Sequence, residues 1–296
     1  MRGIDISNWQ QGLDLAKLAS ELDFVICKVS EGTGFKDKYA KAWLDKARTL
    51  GLLTGVYHYA RHNSPEDEAD YFLKCAGDEV GRSILVLDYE EGQGGAWADR
   101  FVNRVKSKTG IYPLIYCSAS VCSDFSKATA EKCGLWLAGY PRDYTSWISG
   151  SYPYSVKPWS YAVIWQFTSS LKLNGWSGKL DGDIAYIDAK QWTAYAKGAP
   201  APTQDNLVAA CKVILGDYST GKERIEKLKA AGYDPDKVQS VVNDIYSMES
   251  RYLKCACKIM RGDFGNGDTR VKKLRDAGYD PSISQEFVNM LLEVKL

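Results

Sequence analysis

Two acidic residues at the end of an apolar run are the side chains in this sequence best suited to chemistry. Residues 85–92 read Leu-Val-Leu-Asp-Tyr-Glu-Glu-Gly, so Asp88 and Glu90 stand two positions apart. Because a strand alternates its faces, both carboxyls are predicted to lie on one face, roughly 6–7 Å apart. Two carboxyls held this close have separated pKa values, so that one can act as an acid and the other as a base. This pair is typical of a glycosidase. The alternatives are a strand end whose acids face solvent or hold a metal ion.

Length and charge exclude several other classes of protein. A chain of 296 residues favours two domains over one, and a formal net charge of +1 argues against a nucleic-acid-binding surface. No run of 18 or more apolar residues is present, so membrane insertion is not expected. With two histidines in the whole chain, His58 and His62, a His-rich metal site is not expected either. We predict no metal and no cofactor.

The cysteines indicate a chain made in a reducing compartment. Five of the eight precede residue 200 and three follow it, namely Cys27, Cys75, Cys117, Cys122 and Cys133, and then Cys211, Cys255 and Cys257. Odd numbers in both parts cannot pair completely within each part. We therefore expect free thiols.

A short Pro/Ala segment divides the chain. Residues 198–203 read Gly-Ala-Pro-Ala-Pro-Thr, which is typical of a stiff linker, and all nine tryptophans precede it, the last being Trp192. We predict one domain at residues 1–197, a linker at 198–205, and two small repeats at 206–246 and 251–292.

The first domain alternates between strand-like and helical patterns. Eight segments have the alternation and composition of strands: residues 3–7, 24–30, 53–60, 84–90, 112–118, 135–140, 161–168 and 183–188. Helices are predicted at residues 36–50, 65–76 and 97–109. The connections after Tyr140 have the composition of loops. This order predicts the α/β class, as an irregular, TIM-like β/α barrel without its late helices, whose active site lies at the carboxyl ends of the strands.

Acids and aromatics gather at those predicted strand ends. Asp5 ends the first strand, Asp88 and Glu90 end the fourth, and Asp183 lies near the last. Further candidates stand at or near other strand ends: Tyr57, Tyr59, Tyr116, Trp136, Tyr140 and Gln166. Aromatic faces pack on pyranose rings while carboxylates and amides bind hydroxyls, so the set predicts a sugar-binding cleft. Core packing of the aromatics and a turn or cap role for Asp5 are the alternatives.

Seven motifs in this order resemble the glycoside hydrolase family 25 lysozymes, also called the Chalaropsis type. They are Gly3-Ile-Asp5-Ile-Ser7-Asn-Trp-Gln10, Phe24-Val-Ile-Cys-Lys28-Val-Ser-Glu31-Gly32, Gly55-Val-Tyr57-His-Tyr59, Leu87-Asp88-Tyr-Glu90, Tyr116-Cys-Ser, Leu135-Trp136-Leu-Ala-Gly-Tyr140 and Trp165-Gln166. The resemblance covers residues 1 to about 192. It implies an irregular β/α barrel that hydrolyses the β-1,4 bond between N-acetylmuramic acid and N-acetylglucosamine.

The resemblance also implies roles for the site residues. Glu90 is implied to be the general acid/base and Asp88 its strand partner, with Asp5 and a late aspartate completing the acidic cluster. That late position often reads Asp-Leu-Asn in relatives and is Asp183-Ile-Ala185 here; Asp181 is the alternative, although the spacing from Trp165-Gln166 favours Asp183. Lys28 joins the predicted substrate-binding residues.

Two chemical routes are open to such a site. In one, the 2-acetamido group of the substrate attacks the anomeric carbon, and Asp88 orients that group and stabilises the positive oxazolinium that it becomes. In the other, a water molecule attacks directly and inverts the configuration. The sequence does not decide between them.

The second part of the chain contains an internal repeat with a constant offset of 46 residues. Residues 216–224 match 262–270, and residues 228–235 match 274–281. Each copy is predicted to form three short helices, with Gly at a helix end and an Asp-Pro pair at the next start. Duplication of so small a module favours binding over catalysis.

Each copy carries an Asp-aromatic pair and an arginine beside a Gly-rich loop, and these are candidates for binding a polar ligand. They are Asp217, Tyr218 and Arg224 in the first copy and Asp263, Phe264 and Arg270 in the second. Internal pairing of each arginine with its aspartate is the alternative. The pattern resembles the cell-wall-binding repeats found in tandem in a choline-independent pneumococcal phage lysozyme, which implies binding to the muropeptide unit of peptidoglycan. Ser219-Thr220 replaces the Gly265-Asn266 of the second copy, so the first copy is expected to bind more weakly.

The leading hypothesis is a modular muramidase of the phage-endolysin type that acts on bacterial peptidoglycan. The N-terminus shows no signal-peptide pattern, so we expect synthesis in the host cytoplasm and action on the wall after release. A bacterial autolysin, a non-catalytic wall-binding protein and a chitinase-like enzyme are the alternatives. Retention of all four acids disfavours the second, and Asp5, Lys28 and Trp165-Gln166 disfavour the third.

Overall fold

The chain forms two compact units, Met1–Ala201 and Pro202–Leu296. The structure, a computed structural model, describes residues 1–198, 209–210, 212–214, 216–230, 233–247, 251–260, 263–265 and 267–293. The predicted linker, residues 198–205, lies outside the described residues apart from Gly198. Each unit has a hydrophobic core of its own.

Eight strands close a barrel in the first unit. β1 (Arg2–Ile6) pairs in parallel with β2 (Phe24–Glu31) and antiparallel with the last strand, β9 (Leu180–Ala185). Five further strands lie between β2 and β9 and run parallel to β2. In order around the barrel they are β4 (Leu53–Tyr59), β5 (Ile84–Asp88), β6 (Leu114–Ser118), β7 (Leu135–Ala138) and β8 (Ile164–Leu171). The two-residue β3 (Phe35–Lys36) pairs with the end of β2 outside this ring. The predicted irregular β/α barrel is confirmed.

The direction of β9 distinguishes this barrel from one with all strands parallel. Because β9 runs antiparallel to both neighbours, its first residues lie beside the carboxyl ends of the other strands. In the register with β1, Asp5 is opposite Asp181 and Gly3 is opposite Asp183. The predicted strand starts at residue 183, whereas β9 starts at Leu180. The extension brings Asp181 into the sheet.

Helices cover the outside of the barrel up to β7. They are α1 (Ala40–Thr49), α2 (Pro65–Ala76), α3 (Gly95–Thr109) and α4 (Lys127–Lys132), followed after β9 by α5 (Ala189–Ala196). The connections between β7 and β8 and between β8 and β9, which the structure describes in full, contain no helix, as predicted. α1 begins four residues later than predicted because residues 35–36 form β3.

The sequence reading missed α5, although its start carries a signal. The side chain of Asp188 accepts a hydrogen bond from the Gln191 backbone, and the Gln191 side chain accepts one from the Asp188 backbone. This reciprocal pair of hydrogen bonds is a capping box, and an Asp-x-x-Gln pattern in a sequence can indicate such a helix start.

The barrel interior is apolar at one end and polar at the other. Along β2 the inward residues are Phe24 and Ile26 and then Lys28; along β5 apolar residues likewise precede Asp88. Trp192 of α5 closes the apolar end: its ring lies 4.6 Å from that of Phe24, and its Nε1 donates to the Thr54 carbonyl. Gly3 leaves room for Phe24, since a Cβ there would lie 2.3 Å from the phenyl ring. Polar side chains are thus confined to the end where the site is predicted.

The second unit is helical. Its named helices are α6 (Gly221–Ala230), α7 (Pro235–Ser247), α8 (Arg251–Met260), α9 (Gly267–Asp276) and α10 (Pro281–Glu293), and residues 209–210 and 212–214 are helical as well. The second copy therefore has the three predicted helices. The spacing of Val238, Val241, Val242 and Ile245 in the sequence predicts one apolar face for α7, and its three valines are buried. The side chain of Ile245 lies outside the described residues.

The cysteines that the structure describes are free thiols, as predicted: Cys27, Cys75, Cys117, Cys122, Cys133 and Cys255. The Cys117 and Cys122 sulfurs lie 3.8 Å apart without a bond. None of the helices that the structure describes has both the length and the apolar character needed to cross a membrane.

Candidate active site

The barrel brings the four predicted acids to one end. Asp5 lies near the end of β1, Asp88 is the last residue of β5, and Glu90 follows two residues later. Asp183 reaches the same group from β9. Asp5, Asp88 and Asp183 are buried, whereas Glu90 is exposed. Burial, and next the negative charges of neighbouring acids, raises the pKa values of all three aspartates, so the carboxyls lie within electrostatic reach of one another.

The Asp88–Glu90 pair has the predicted common orientation, although β5 ends at Asp88. The intervening Tyr89 is buried on the opposite side, where its hydroxyl accepts a hydrogen bond from the Gly94 backbone at 2.8 Å. Burial, the charge of Glu90 and a side-chain hydrogen bond to it raise the pKa of Asp88 well above its ordinary value. The Asp88 Oδ1 atom is buried without a hydrogen-bond partner. Burial and the charge of Glu90 thus favour the neutral, protonated form of Asp88.

Asp5 is fixed by a hydrogen-bond network across the barrel. Gln166 donates from Nε2 to Asp5 Oδ2 at 2.7 Å, and its Oε1 accepts from the hydroxyl of Tyr116 at 2.8 Å and from that of Tyr140. The two tyrosine donors require the amide oxygen to face them, so the amide nitrogen must face Asp5. Burial, and next the charge of Asp181, raises the pKa of Asp5 well above its ordinary value.

Asp183 and Trp136 form the floor of this site. Trp136 Nε1 donates to Asp183 Oδ1 at 2.8 Å, and the Trp136 ring packs edge-on against Tyr116 and Tyr57, with centroids 4.7 and 6.3 Å away. Asp183 is fully buried and its Oδ2 has no hydrogen-bond partner. Burial and the charge of Asp5 raise the pKa of Asp183 well above its ordinary value. Contact of Trp136 with a sugar stays a prediction, because the ring is covered here.

The structure places both candidates for the late aspartate in the cluster. Asp181 and Asp183 are two residues apart on β9 and face the same way, with Asp181 level with Asp5 and nearer the open end. Burial, and next the charge of Glu90, raises the pKa of Asp181 to about 6. The site thus contains five carboxyls, and the choice between the two aspartates posed by the sequence is not an exclusive one.

Asp181→Asn is expected to raise the free energy of unfolding at pH 7. The pKa of Asp181 is about 6 in the folded protein against an ordinary 3.8. The folded state therefore binds more protons between these pH values, and stability falls as the pH rises from about 4 to about 6. Asparagine removes this cost, which is on the order of 1–3 kcal/mol at pH 7 and absent below about pH 4.

Urea unfolding of both proteins at pH 4 and pH 7 measures this difference. Asp143→Asn removes an exposed carboxylate from the same unit and should change stability by no more than about 0.5 kcal/mol at either pH. An Asp181→Asn gain of the same size at both pH values would exclude titration of Asp181 as its cause.

One side of the site carries a network of charges. Lys28 Nζ bonds Glu31 Oε2 at 2.6 Å and lies 4.8 Å from the centre of the Tyr59 ring. Arg61 stacks 4.7 Å from the same ring and pairs with Glu31 and Glu91. Burial, followed by the charges of Glu90 and Asp88, raises the pKa of Tyr59 to about 12. Tyr59 is therefore held between two cations beside the acids.

Glu31, Arg61 and Glu91 were not among the predicted site residues. All three lie at or just after strand ends, in β2 and after β4 and β5. Their position at strand ends, where the active site was predicted, is the sequence feature that could have identified them. In the part of the chain that the structure describes, no group of three or more His, Cys, Asp or Glu side chains could hold a metal ion.

The repeat arginines make matching contacts in the two copies. Arg224 donates from Nε to the Ser219 carbonyl at 3.1 Å and from Nη1 to Gln239 Oε1 at 3.1 Å. Arg270 donates likewise to the Gly265 carbonyl at 2.9 Å and to Gln285 Oε1 at 3.4 Å. Each arginine thus links the loop before its own helix to the next helix of the same copy. In the first copy these contacts take the place of the Arg–Asp pair considered from the sequence.

The aromatic of each Asp-aromatic pair is also held in matching fashion. Tyr218 packs edge-on against Tyr233 at 6.3 Å, and Phe264 packs against Tyr279 at 6.2 Å with the same 84° interplanar angle. Asp217 and Asp263 are exposed. The repetition of side-chain geometry shows that the two copies have one local design.

A β/α barrel with paired carboxyls at its open end has the architecture of a glycoside hydrolase. Residues 4–176 match glycosyl hydrolases family 25, and residues 207–246 and 254–292 each match the CW_7 repeat. The chain belongs to glycosyl hydrolases family 25. Both resemblances drawn from the sequence are confirmed.

Individual relatives agree with this assignment. Lysozyme M1 of Streptomyces globisporus is 28% identical over 202 residues, which cover 61% of this chain and 66% of the relative. This chain therefore spans slightly less than two thirds of that relative's length. The lysozyme of Streptococcus phage Cp-7 is 28% identical over 275 residues, covering 82% of this chain and 69% of the relative. The solved structure of a muramidase from Trichobolus zukalii has 30% identity and a TM-score of 0.56, and covers 67% of this chain and 99% of that one.

Proposed function

We propose that this protein is an N-acetylmuramidase that hydrolyses the β-1,4 bond between N-acetylmuramic acid and N-acetylglucosamine in peptidoglycan. The observation that carries the proposal is the Asp88–Glu90 pair at the open end of a family 25 barrel, with Asp88 buried and Glu90 exposed. A buried aspartate whose pKa is raised, beside an exposed glutamate, is a pair suited to proton transfer to a substrate oxygen.

The geometry supports a route through the acetamido group. The Asp88 and Glu90 carboxyls are close enough for the charge of Glu90 to raise the pKa of Asp88, and two carboxyls close together favour retention, since inversion needs roughly 6.5–9.5 Å to leave room for a water. Glu90 first takes the proton from Asp88 and, as the glycosidic bond breaks, gives it to the leaving oxygen while the acetamido oxygen bonds to the anomeric carbon. Both carboxyls are then anionic, and Asp88 faces the positive oxazolinium. Water, deprotonated by Glu90, then opens that ring and gives a product with retained configuration.

Analysis of digested peptidoglycan by mass spectrometry tests the proposed reaction. The full chain should release fragments that end in reducing muramic acid. Reducing-end glucosamine would identify a glucosaminidase instead, and new amino termini would identify an amidase or peptidase.

We infer that the second unit holds the protein on the cell wall, with a muropeptide bound at each arginine. The guanidinium forks have the planar geometry that suits carboxylate and amide oxygens. Two weak sites in one chain raise the apparent affinity through effective concentration. The phage relative that matches both parts of this chain supports an endolysin that reaches the wall after release from the host cytoplasm.

Arg224→Ala combined with Arg270→Ala is expected to reduce retention on insoluble peptidoglycan by at least tenfold, since both sites lose their fork. Each single change should weaken retention less, with Arg270→Ala the more severe. Co-sedimentation with purified walls measures the effect, and hydrolysis of small soluble muropeptides should stay nearly unchanged.

The matched control is Lys229→Ala combined with Arg275→Ala. These exposed cations lie 46 residues apart, at equivalent positions of the two copies, and their removal changes the net charge equally. Circular dichroism checks folding, because each arginine also holds its loop. A folded double mutant that sediments like the wild type would show that Arg224 and Arg270 are structural only.

A further inference from the structure

The exposed aromatic side chains of the barrel all lie at the end that carries the acids. Among the described residues, four large hydrophobic side chains are strongly exposed: Trp9 at 82%, Phe35 at 40%, Tyr140 at 45% and Ile225 at 45%. Trp9 follows β1, Phe35 belongs to β3 beside the end of β2, and Tyr140 follows β7. Single exposed apolar residues are ordinary, but exposed aromatics at the end of the barrel that carries the acids favour a binding role there.

Trp9 stands on a firmly held turn. Ser7 and Gln10 form a capping box around the short 3-10 turn Asn8–Gln10. The Asn8 backbone donates to Asp37 Oδ2 at 2.6 Å, and Asp37 is 3% exposed. The indole is therefore presented to solvent by a backbone that is tied to the protein interior.

Phe35 lies next to the same anchor and is linked to the acids. It is opposite Glu31 in the β2–β3 register, two residues before Asp37. Lys28 Nζ lies 5.5 Å from the centre of its ring, and the charge of Lys28 acts on Asp88. The segments that carry Trp9 and Phe35 thus meet at Asp37, on the β1–β2 side of the site.

We propose that Trp9 and Phe35 form an additional sugar subsite, which binds a hexosamine ring of an uncleaved glycan strand beyond the two sugars at the scissile bond. The subsite rests on the proposed muramidase function. Aromatic faces pack on the apolar faces of pyranose rings. An aromatic ring that is exposed to water in the free protein is buried when a sugar packs on it, and this burial favours binding. Both rings belong to segments at the carboxyl ends of β1 and β2, the end of the barrel that carries the acids.

The subsite predicts that Trp9→Ala selectively weakens the hydrolysis of long strands. With peptide-free glycan strands, its KM should rise about three- to tenfold with little change in kcat, the amount expected for one lost stacking contact. With a short substrate that fills only the sugars at the scissile bond, both constants should stay at their wild-type values. Trp9→Phe, which retains an aromatic face, should recover most of the affinity.

The matched control is Ile225→Ala, which removes an exposed apolar side chain from the second unit and should not change the KM for either substrate. Because Trp9 is 82% exposed, its replacement should leave the thermal midpoint unchanged. Equal KM values of the wild type and Trp9→Ala on long strands would overturn the subsite while leaving the proposed function intact. A wild-type protein that cleaves neither substrate would overturn both.

Discussion

Replacement of Glu90 by glutamine is expected to slow peptidoglycan hydrolysis by a factor on the order of 10²–10⁴. Glutamine keeps the shape of the side chain but has no proton to give to the leaving oxygen. Because Glu90 is exposed beyond the end of β5, the substitution removes no core contact. It also removes a negative charge that raises the pKa values of Asp88 and Asp181, so the thermal midpoint should hold or rise. Turbidity clearing of a wall suspension measures the rate.

The adjacent residue provides the control for this prediction. Glu91 pairs with Arg61, so Glu91→Gln removes the same charge one position away and should keep most of the activity. Near-wild-type clearing by Glu90→Gln would remove Glu90 as the acid. An equal loss in both variants would attribute the effect to the charge network around Tyr59.

Asp88→Asn is expected to slow turnover by a similar factor while retaining substrate binding. Burial raises the pKa of Asp88 and favours its neutral form, so a neutral asparagine fits its buried position. It cannot become the anion that faces the oxazolinium. A thiazoline analogue of that intermediate should therefore inhibit the wild type more strongly than the mutant.

Inhibition constants of both proteins for the thiazoline decide between the two routes. Equal constants would favour attack by water with inversion, because Asp88 would then have no positive ring to stabilise. Proton NMR of the first product formed gives an independent answer, since it distinguishes a retained β-anomer from an inverted α-anomer.

The positions of the acids could be predicted because two simple rules agree. Strand alternation determines which neighbouring side chains share a face, and barrel topology determines which strand ends lie together. Alternation places Asp88 beside Glu90, and the shared carboxyl ends of the strands bring Asp5 to them. The role of Asp181 depends instead on the antiparallel direction and the register of β9, which result from barrel closure. A pattern within one strand contains no information on either.

Contacts between residues that are distant in the sequence could not be predicted for the same reason. The pairs of Arg61 with Glu31 and Glu91 join three strand ends that become neighbours only in the folded sheet. In the repeats, the constant offset marked Gln239 and Gln285 as equivalent, but their bonds to the arginines depend on how α6 packs on α7 and α9 on α10. Equivalence can be read from a repeat, whereas contact requires its fold.

The indole of Trp192 in the base of the barrel determines how this enzyme can be shared between proteins. The family match ends at residue 176, and all strands and all five carboxyls precede residue 186. A fragment that ended at residue 186 would keep every acid, yet it would lose Trp192 and expose Phe24 at the apolar end of the barrel. An engineered exchange of the second unit should therefore cut the chain after Ala196, where α5 ends. Although α5 follows the last strand and contributes no acid, it completes the core of the catalytic unit.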